Sequence, residues 1–126
     1  MGFLKRLFGS AEPDRQREPP SKADLDAVVI QQLTKAGADL TQRRETLHYL
    51  YVPNEDDAGI AERNLSRGGR KIEVRPAATG GSWLVLITES MIVNPATIAG
   101  IRAELEDEAL KFGGNYDGWE AALTPD

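Results

Sequence analysis

The feature that most constrains the fold is the order of hydrophobic patterns along residues 46–123. Segments rich in β-branched and aromatic residues predict strands, and apolar residues at steps of three and four predict helices. The predicted strands are Thr46–Val52, Lys71–Arg75, Trp83–Ile87 and Tyr116–Leu123, and the predicted helices begin after Asn54 and Asn94. The resulting order, strand–helix–strand–strand–helix–strand, predicts an α+β domain: a ferredoxin-like βαββαβ antiparallel sheet with two helices on one face.

An additional N-terminal helix is predicted before the first strand. Ser21 and Asp24 have the spacing of a capping box, and Gly37 provides a stop signal. The apolar stripe of this helix is predicted to be Leu25, Val28, Val29, Leu33 and Ala36. Residues 9–20 are polar and contain proline, which is typical of a linker. We therefore divide the chain into a flexible N-terminal segment and linker, 1–20, and a domain, 21–126.

The second face of the predicted sheet needs a cover. Segments 47–52 and 83–87 are apolar on both alternating faces, whereas half-exposed antiparallel strands normally are not. The helix at 22–36 is the natural candidate for this cover. A homodimer formed through the open sheet would meet the same demand.

Composition limits the chemistry and the partners of this protein. The chain has 126 residues, no cysteine, one histidine and a net charge of −5. Disulfides and thiolate chemistry are therefore excluded, and a transition-metal site is disfavoured. A mildly acidic body disfavours direct binding to nucleic acid and favours a basic protein partner.

The first residues carry an amphipathic pattern. Phe3, Leu4, Leu7 and Phe8 would share one face of a short helix, with basic residues opposite. This pattern is compatible with weak contact to an anionic membrane or with insertion into a partner groove. No apolar run approaches the roughly 18–20 residues that span a bilayer, and charge interrupts the start, unlike in a secretory signal. We expect a cytoplasmic protein.

A catalytic reading would have to use His48, which lies in a predicted strand. A general base needs an orienting partner and a reactive neighbour within hydrogen-bond reach. A small hydrolase or isomerase using His48 with a carboxylate is therefore the alternative from the enzyme class. The run Glu55-Asp56-Asp57 is explained by its position at a helix start, where carboxylates oppose the helix dipole.

Two acidic or aromatic groups are candidates for partner contact. The third predicted helix carries Glu104, Glu106, Asp107 and Glu108, an acid-rich segment mostly off its apolar stripe. Such a face is either simply solvated or docks a basic partner. Near the end of the chain, Tyr116, Asp117 and Trp119 have two readings. In the first, the rings fill the sheet edge, Asp117 caps a turn, and Gly118 allows a bulge or a close approach of backbone. In the second, the cluster forms a binding hot spot.

These motifs resemble those of the RraB family, the regulators of ribonuclease activity B. The resemblance is carried by the helix ending in Gly37-Ala38-Asp39, by the strand containing His48-Tyr49-Leu50-Tyr51, and by the closing Gly-Asn-Tyr-Asp-Gly-Trp119. It covers about residues 22–121. The resemblance implies a non-enzymatic cytoplasmic inhibitor that needs no cofactor and binds the arginine-rich scaffold portion of ribonuclease E. The contact residues expected from both arguments are Tyr116, Asp117, Trp119, Glu104, Asp107 and Glu108.

Overall fold

Three helices and an antiparallel sheet make up the domain. The computed structural model describes residues 6–8 and 21–126. The elements, in chain order, are β1 (Arg6–Phe8), α1 (Lys22–Lys35), β2 (Arg44–Val52), α2 (Glu55–Leu65), β3 (Arg70–Pro76), β4 (Trp83–Met91), α3 (Pro95–Phe112) and β5 (Asn115–Ala122). The predicted α+β class is confirmed, and each predicted strand from β2 onward is present.

The helix boundaries follow from local capping. Ser21 and Asp24 form the predicted capping box of α1, and Asn54 Oδ1 accepts a 2.9 Å hydrogen bond from the Asp57 amide at the start of α2. Asn94 caps α3 ahead of Pro95, and Gly113 ends that helix in the left-handed region. These side chains satisfy backbone groups that a helix terminus leaves unpaired. The predicted helix starts at Ser21, Asn54 and Asn94 and the stop at Gly37 are confirmed.

The sheet has four long strands and one short edge strand. Its order is β1-β5-β2-β4-β3, and every neighbouring pair is antiparallel. Along β2, side chains alternate strictly between buried and half-buried. The buried set starts at Arg44 and ends at Val52. It faces the helices, because Leu50 and Val52 join one core cluster with α1, α2 and α3.

The prediction that the helix at 22–36 covers the second face of the sheet is wrong. α1 buries Val29 and Leu33 in the same core as α3, and its Asp26 binds Trp119 on the helix-covered face. All three helices therefore lie on one face. The opposite face of β2 carries half-buried Leu47 and Tyr51, and a homodimer through it stays a prediction.

The buried faces of α1 and α2 differ from a reading of periodicity alone. On α1 the buried positions are Asp26, Val29 and Leu33, while the predicted stripe residue Val28 is 48% exposed. On α2 the buried positions are Ala58, Ala61 and Leu65, and Ile60 is exposed. Periodicity alone does not determine which of two adjacent faces of a helix is buried. The residues packed against the helix decide it.

Residues 6–8 form strand β1, where the amphipathic pattern of residues 3–8 had suggested a short helix or a flexible start. The backbone of residues 6–8 pairs with residues 120–122 of β5, because an edge strand offers unpaired N–H and C=O groups. The proposed apolar face of Phe3, Leu4, Leu7 and Phe8 and the linker lie outside the residues whose side chains the structure describes. Among the described residues, no helix has both the length and the apolar character to cross a membrane.

Candidate protein-interaction site

A bulge in β5 organises the C-terminal cluster. Tyr49 of β2 pairs with Gly118, and the next β2 residue, Leu50, pairs with Tyr116. Asp117 is therefore the extra residue of a β-bulge, and Gly118 adopts φ 125°, which only glycine reaches without strain. The bulge predicted at Gly118 is confirmed. Because it breaks the alternation, Tyr116 and Trp119 both point toward the helices.

The indole of Trp119 is held by a buried carboxylate. Its Nε1–H donates a 2.9 Å hydrogen bond to Asp26 Oδ1 on α1. The other oxygen of Asp26 pairs with Arg102 on α3. Trp119 is 1% exposed and Asp26 is 6% exposed. One carboxylate thus joins α1, α3 and β5, and both of its oxygens are satisfied.

A second buried chain of hydrogen bonds includes the only histidine. Thr46 Oγ1 donates to the Glu89 carbonyl at 2.8 Å, so it accepts from His48 Nε2 at 2.9 Å. In the neutral imidazole, Nδ1 then carries no proton and accepts from the Tyr116 hydroxyl at 3.1 Å. The Tyr116 and His48 rings are also stacked, with centroids 6.2 Å apart. Both ring nitrogens of the neutral imidazole therefore have a hydroxyl partner.

The ionisation of these groups follows from their burial. Desolvation, assisted by the charge of Arg70, lowers the pKa of His48 to about 3. Burial also raises the pKa of the Tyr116 phenol, with a further contribution from the charge of Asp26. For Asp26, burial raises the pKa and outweighs the opposing effects of Trp119 and Arg102. At neutral pH both His48 and Tyr116 are uncharged.

This geometry gives His48 a packing role. Its two ring nitrogens are engaged by hydroxyl groups, and its side chain is fully buried. A general base works best with a pKa near the operating pH and with access to a substrate. Across the described part of the chain, no group of three His, Asp or Glu side chains is arranged to hold a metal ion.

The acid-rich segment of α3 is largely neutralised within the chain. Glu104 accepts two hydrogen bonds from Arg70, at 2.8 and 2.6 Å, and this contact lowers the pKa of the Glu104 carboxyl. Glu108 is 4% exposed and accepts from Asn64 and Lys111. Glu106 pairs with Lys22. Asp107 is exposed.

The six candidate contact residues therefore fall into two groups. Asp107 and Asp117 are exposed, and Glu104 is half-buried. Glu108, Tyr116 and Trp119 are buried, so the sequence-based picture of a surface hot spot made by the two rings is corrected. The rings are interior because the bulge turns both toward the core.

Sequence reasoning missed several buried charged residues. Asp26 and Arg102 were not singled out, although Asp26 lies three and seven positions before Val29 and Leu33 on the buried stripe. The buried Arg70 bridges Glu104 and Glu89. Arg44 is fully buried and donates to the carbonyls of Asp39, Ala122 and Leu123. The signal available in the sequence was the position of Asp26, a charged residue spaced to fall on the apolar stripe of its helix, which indicates a buried charge.

Comparison with known protein families gives a match over most of the chain. The family model for regulator of ribonuclease activity B, RraB, matches residues 23–121. The match begins at the start of α1 and ends in β5, so it includes both Asp26 and Trp119. No curated protein is a significant match to this chain. Since the family model spans most of the sequence, this chain belongs to the RraB family, the regulators of ribonuclease activity B.

Proposed function

We propose that this protein regulates RNA turnover by binding a basic region of a ribonuclease, without catalysing a reaction itself. The observation that carries the proposal is the family match over residues 23–121. Ribonuclease E is the partner suggested by the resemblance described above. The proposal places the protein in the cytoplasm and assigns it no cofactor and no direct contact with nucleic acid.

The chemistry of the described residues supports a binding role. The single histidine is buried between two hydroxyl groups and has a strongly lowered pKa. The chain carries 20 acidic and 15 basic residues, which suits association with a positively charged surface. Occupying such a surface is sufficient for regulation, and complementary charge raises the rate of association.

We place the contact on the exposed acids Asp107 and Asp117, with Glu104 contributing from the rim. Asp107 projects from α3, and Asp117 is the bulge residue of β5. Beneath Asp117, the buried rings of Tyr116 and Trp119 fix the position of the strand. Glu108 plays a similar supporting role in α3 through Asn64 and Lys111.

We also infer that the sheet belongs to the ferredoxin-like class, with α1 as the additional helix. The support is the order of the four long strands, β3-β4-β2-β5, in which the first strand of the βαββαβ unit is central. Helix α2 connects β2 to β3 and passes over β4, and helix α3 connects β4 to β5 and passes over β2. Such crossover connections are typical of this unit.

The proposal is tested with purified ribonuclease E, this protein and a labelled RNA substrate. We expect cleavage to slow as the protein is added, and the two proteins to co-elute at low salt. Asp107→Lys reverses one contact charge and should weaken co-elution, whereas Glu62→Lys makes the same charge change on α2, outside the assigned contact. Undiminished cleavage together with separate elution at low salt would contradict the proposal.

A further inference from the structure

We propose that a cleft at one end of the sheet receives an arginine side chain of the basic partner. This inference rests on the proposed function and deepens it, because it names the chemical group that the site beside Asp117 recognises. The cleft has a volume of about 380 Å³. That is ample for one extended side chain with its hydration displaced.

Three chain segments meet to form the cleft. They are the end of β2 with Pro53, the connection between β3 and β4, and the turn from α3 into β5. Asp117 is among the lining residues. Because strand ends and a helix end converge here, the sheet and α3 set the positions of the walls.

The electrostatics of the cleft favour a cation. Among the described residues that line it, Asp117 is the only acidic one, and no lysine or arginine is present. Gly113 and Gly114, at the C-terminal end of α3, are also among the lining residues. A helix C-terminus carries a partial negative charge from its aligned peptide dipoles. Both features act in the same direction.

The cleft is formed in advance of binding. An added Cβ at Gly114 would lie 2.0 Å from the Tyr51 carbonyl oxygen, so the backbone of the α3–β5 turn is in direct contact with the end of β2. Gly113 makes the turn with φ 70°. A site whose walls are already in place loses little conformational entropy when a side chain enters.

Arginine fits this lining better than a compact cation. Its guanidinium group offers five donors in a planar fork and binds carboxylates through two parallel hydrogen bonds. Besides Asp117, the lining residues include Thr79, Ser82 and Asn115, whose side chains carry acceptor oxygens. With this many acceptor atoms nearby, the five N–H donors of a guanidinium group can find more partners than the three donors of an ammonium group.

The test uses arginine with both termini blocked as the probe and follows backbone amide signals by NMR. We expect saturable shifts confined to residues 51–53, 77–82 and 113–117. Blocked citrulline, which has the same shape without charge, should produce no saturable shifts. Asp117→Asn should raise the dissociation constant of blocked arginine about five-fold or more, while Glu62→Gln, with the same charge change on α2, should leave it within two-fold.

Other outcomes separate this inference from the proposed function. Equal affinity for blocked arginine and blocked lysine, or for arginine and citrulline, would overturn the assignment of a guanidinium site. So would an unchanged dissociation constant in Asp117→Asn. If the ribonuclease still binds while the arginine probe produces no shifts in the cleft, the inference is wrong and the proposed function stands. If the probe binds the cleft but the ribonuclease does not bind, the proposed function is wrong.

Discussion

Trp119 and Asp26 are 93 positions apart in the chain, yet the indole N–H lies 2.9 Å from the carboxylate oxygen and both groups are buried. The contact fixes the last strand against the first helix. It also explains why a tryptophan so near the end of the chain is interior. The same carboxylate binds Arg102 of α3, so three elements depend on one side chain.

Replacing Asp26 should therefore be costly. Asp26→Ala leaves Arg102 and the Trp119 N–H without their acceptor in a buried site, and we expect the free energy of unfolding to fall by about 3 kcal/mol. Urea denaturation followed by tryptophan fluorescence measures it. Glu62→Ala, an exposed acid on α2, should change stability by less than about 0.5 kcal/mol. Similar losses in the two variants would argue against a structural role for the Asp26 contacts.

The buried neutral His48 predicts a specific pH dependence. Its pKa in the folded state is about 3, below the unfolded value of about 6.5. As pH falls below the unfolded value, the unfolded chain binds a proton that the folded chain does not, so stability decreases. The limiting slope is about 1.4 kcal/mol per pH unit. The contribution of the neutral His48 to the free energy of unfolding is therefore fully present above about pH 6.5 and is lost progressively as the pH falls toward 3.

The contribution of His48 is isolated by comparison with His48→Asn. We expect the wild-type protein to lose stability between pH 6.5 and 5, and the variant, though less stable overall, to show a much flatter profile there. Below pH 5 the carboxylates also titrate, including Glu104, whose lowered pKa adds a loss in the same direction. Parallel profiles above pH 5 would mean that His48 is not the titrating group.

Arg70 offers a test of bidentate recognition. Its side chain has no exposed surface and binds Glu104 twice, Glu89 once and the Leu65 carbonyl. Lysine keeps the charge but cannot reproduce this planar set of donors. Arg70→Lys should lower the free energy of unfolding by about 1–3 kcal/mol.

Arg67 provides the matched control for that substitution. It also contacts Glu89 and Glu104, but its side chain is 55% exposed, and exposed ion pairs contribute little. Arg67→Lys should therefore be nearly neutral in the same chemical denaturation measurement. An Arg67→Lys loss as large as that of Arg70→Lys would show that burial does not set the difference.

Gly114 should tolerate no side chain. A Cβ added at Gly114 would lie 2.0 Å from the Tyr51 carbonyl oxygen. Gly114→Ala therefore forces the α3–β5 turn away from β2. We expect a loss of about 2 kcal/mol or more in thermal or urea unfolding. Gly81→Ala adds the same methyl group where nothing lies within 4 Å and φ is not positive. If both substitutions are neutral, the close approach is absent in solution.

The secondary structure was predictable because its signals are local. A capping side chain satisfies amide groups within three residues, as Ser21 and Asn94 do, and the stripe through Ile98, Ile101 and Leu105 repeats within one helix. Such interactions need no information from elsewhere in the chain. The bulge at Gly118 was predictable for the same reason, since its strand is otherwise continuous and only glycine adopts that φ freely.

The direction in which the terminal rings point was decided by tertiary structure. Tyr116 and Trp119 are three positions apart, and in a regular strand they would lie on opposite faces. One inserted residue, Asp117, places both on the helix side, where His48 and Asp26 supply their polar partners. Composition cannot reveal those partners, because they come from β2 and α1.

The charges were decided by tertiary structure as well. The sequence shows acids along α3, but Arg70 and Lys22 are brought to Glu104 and Glu106 only when the elements pack, whereas Lys111 pairs with Glu108 within α3 itself. By itself the sequence determined which segments of residues 21–126 become helices and strands, since that choice rests on neighbouring residues. Which acids remain available to a partner depended on distances across the fold, and those distances exist only after the chain has folded.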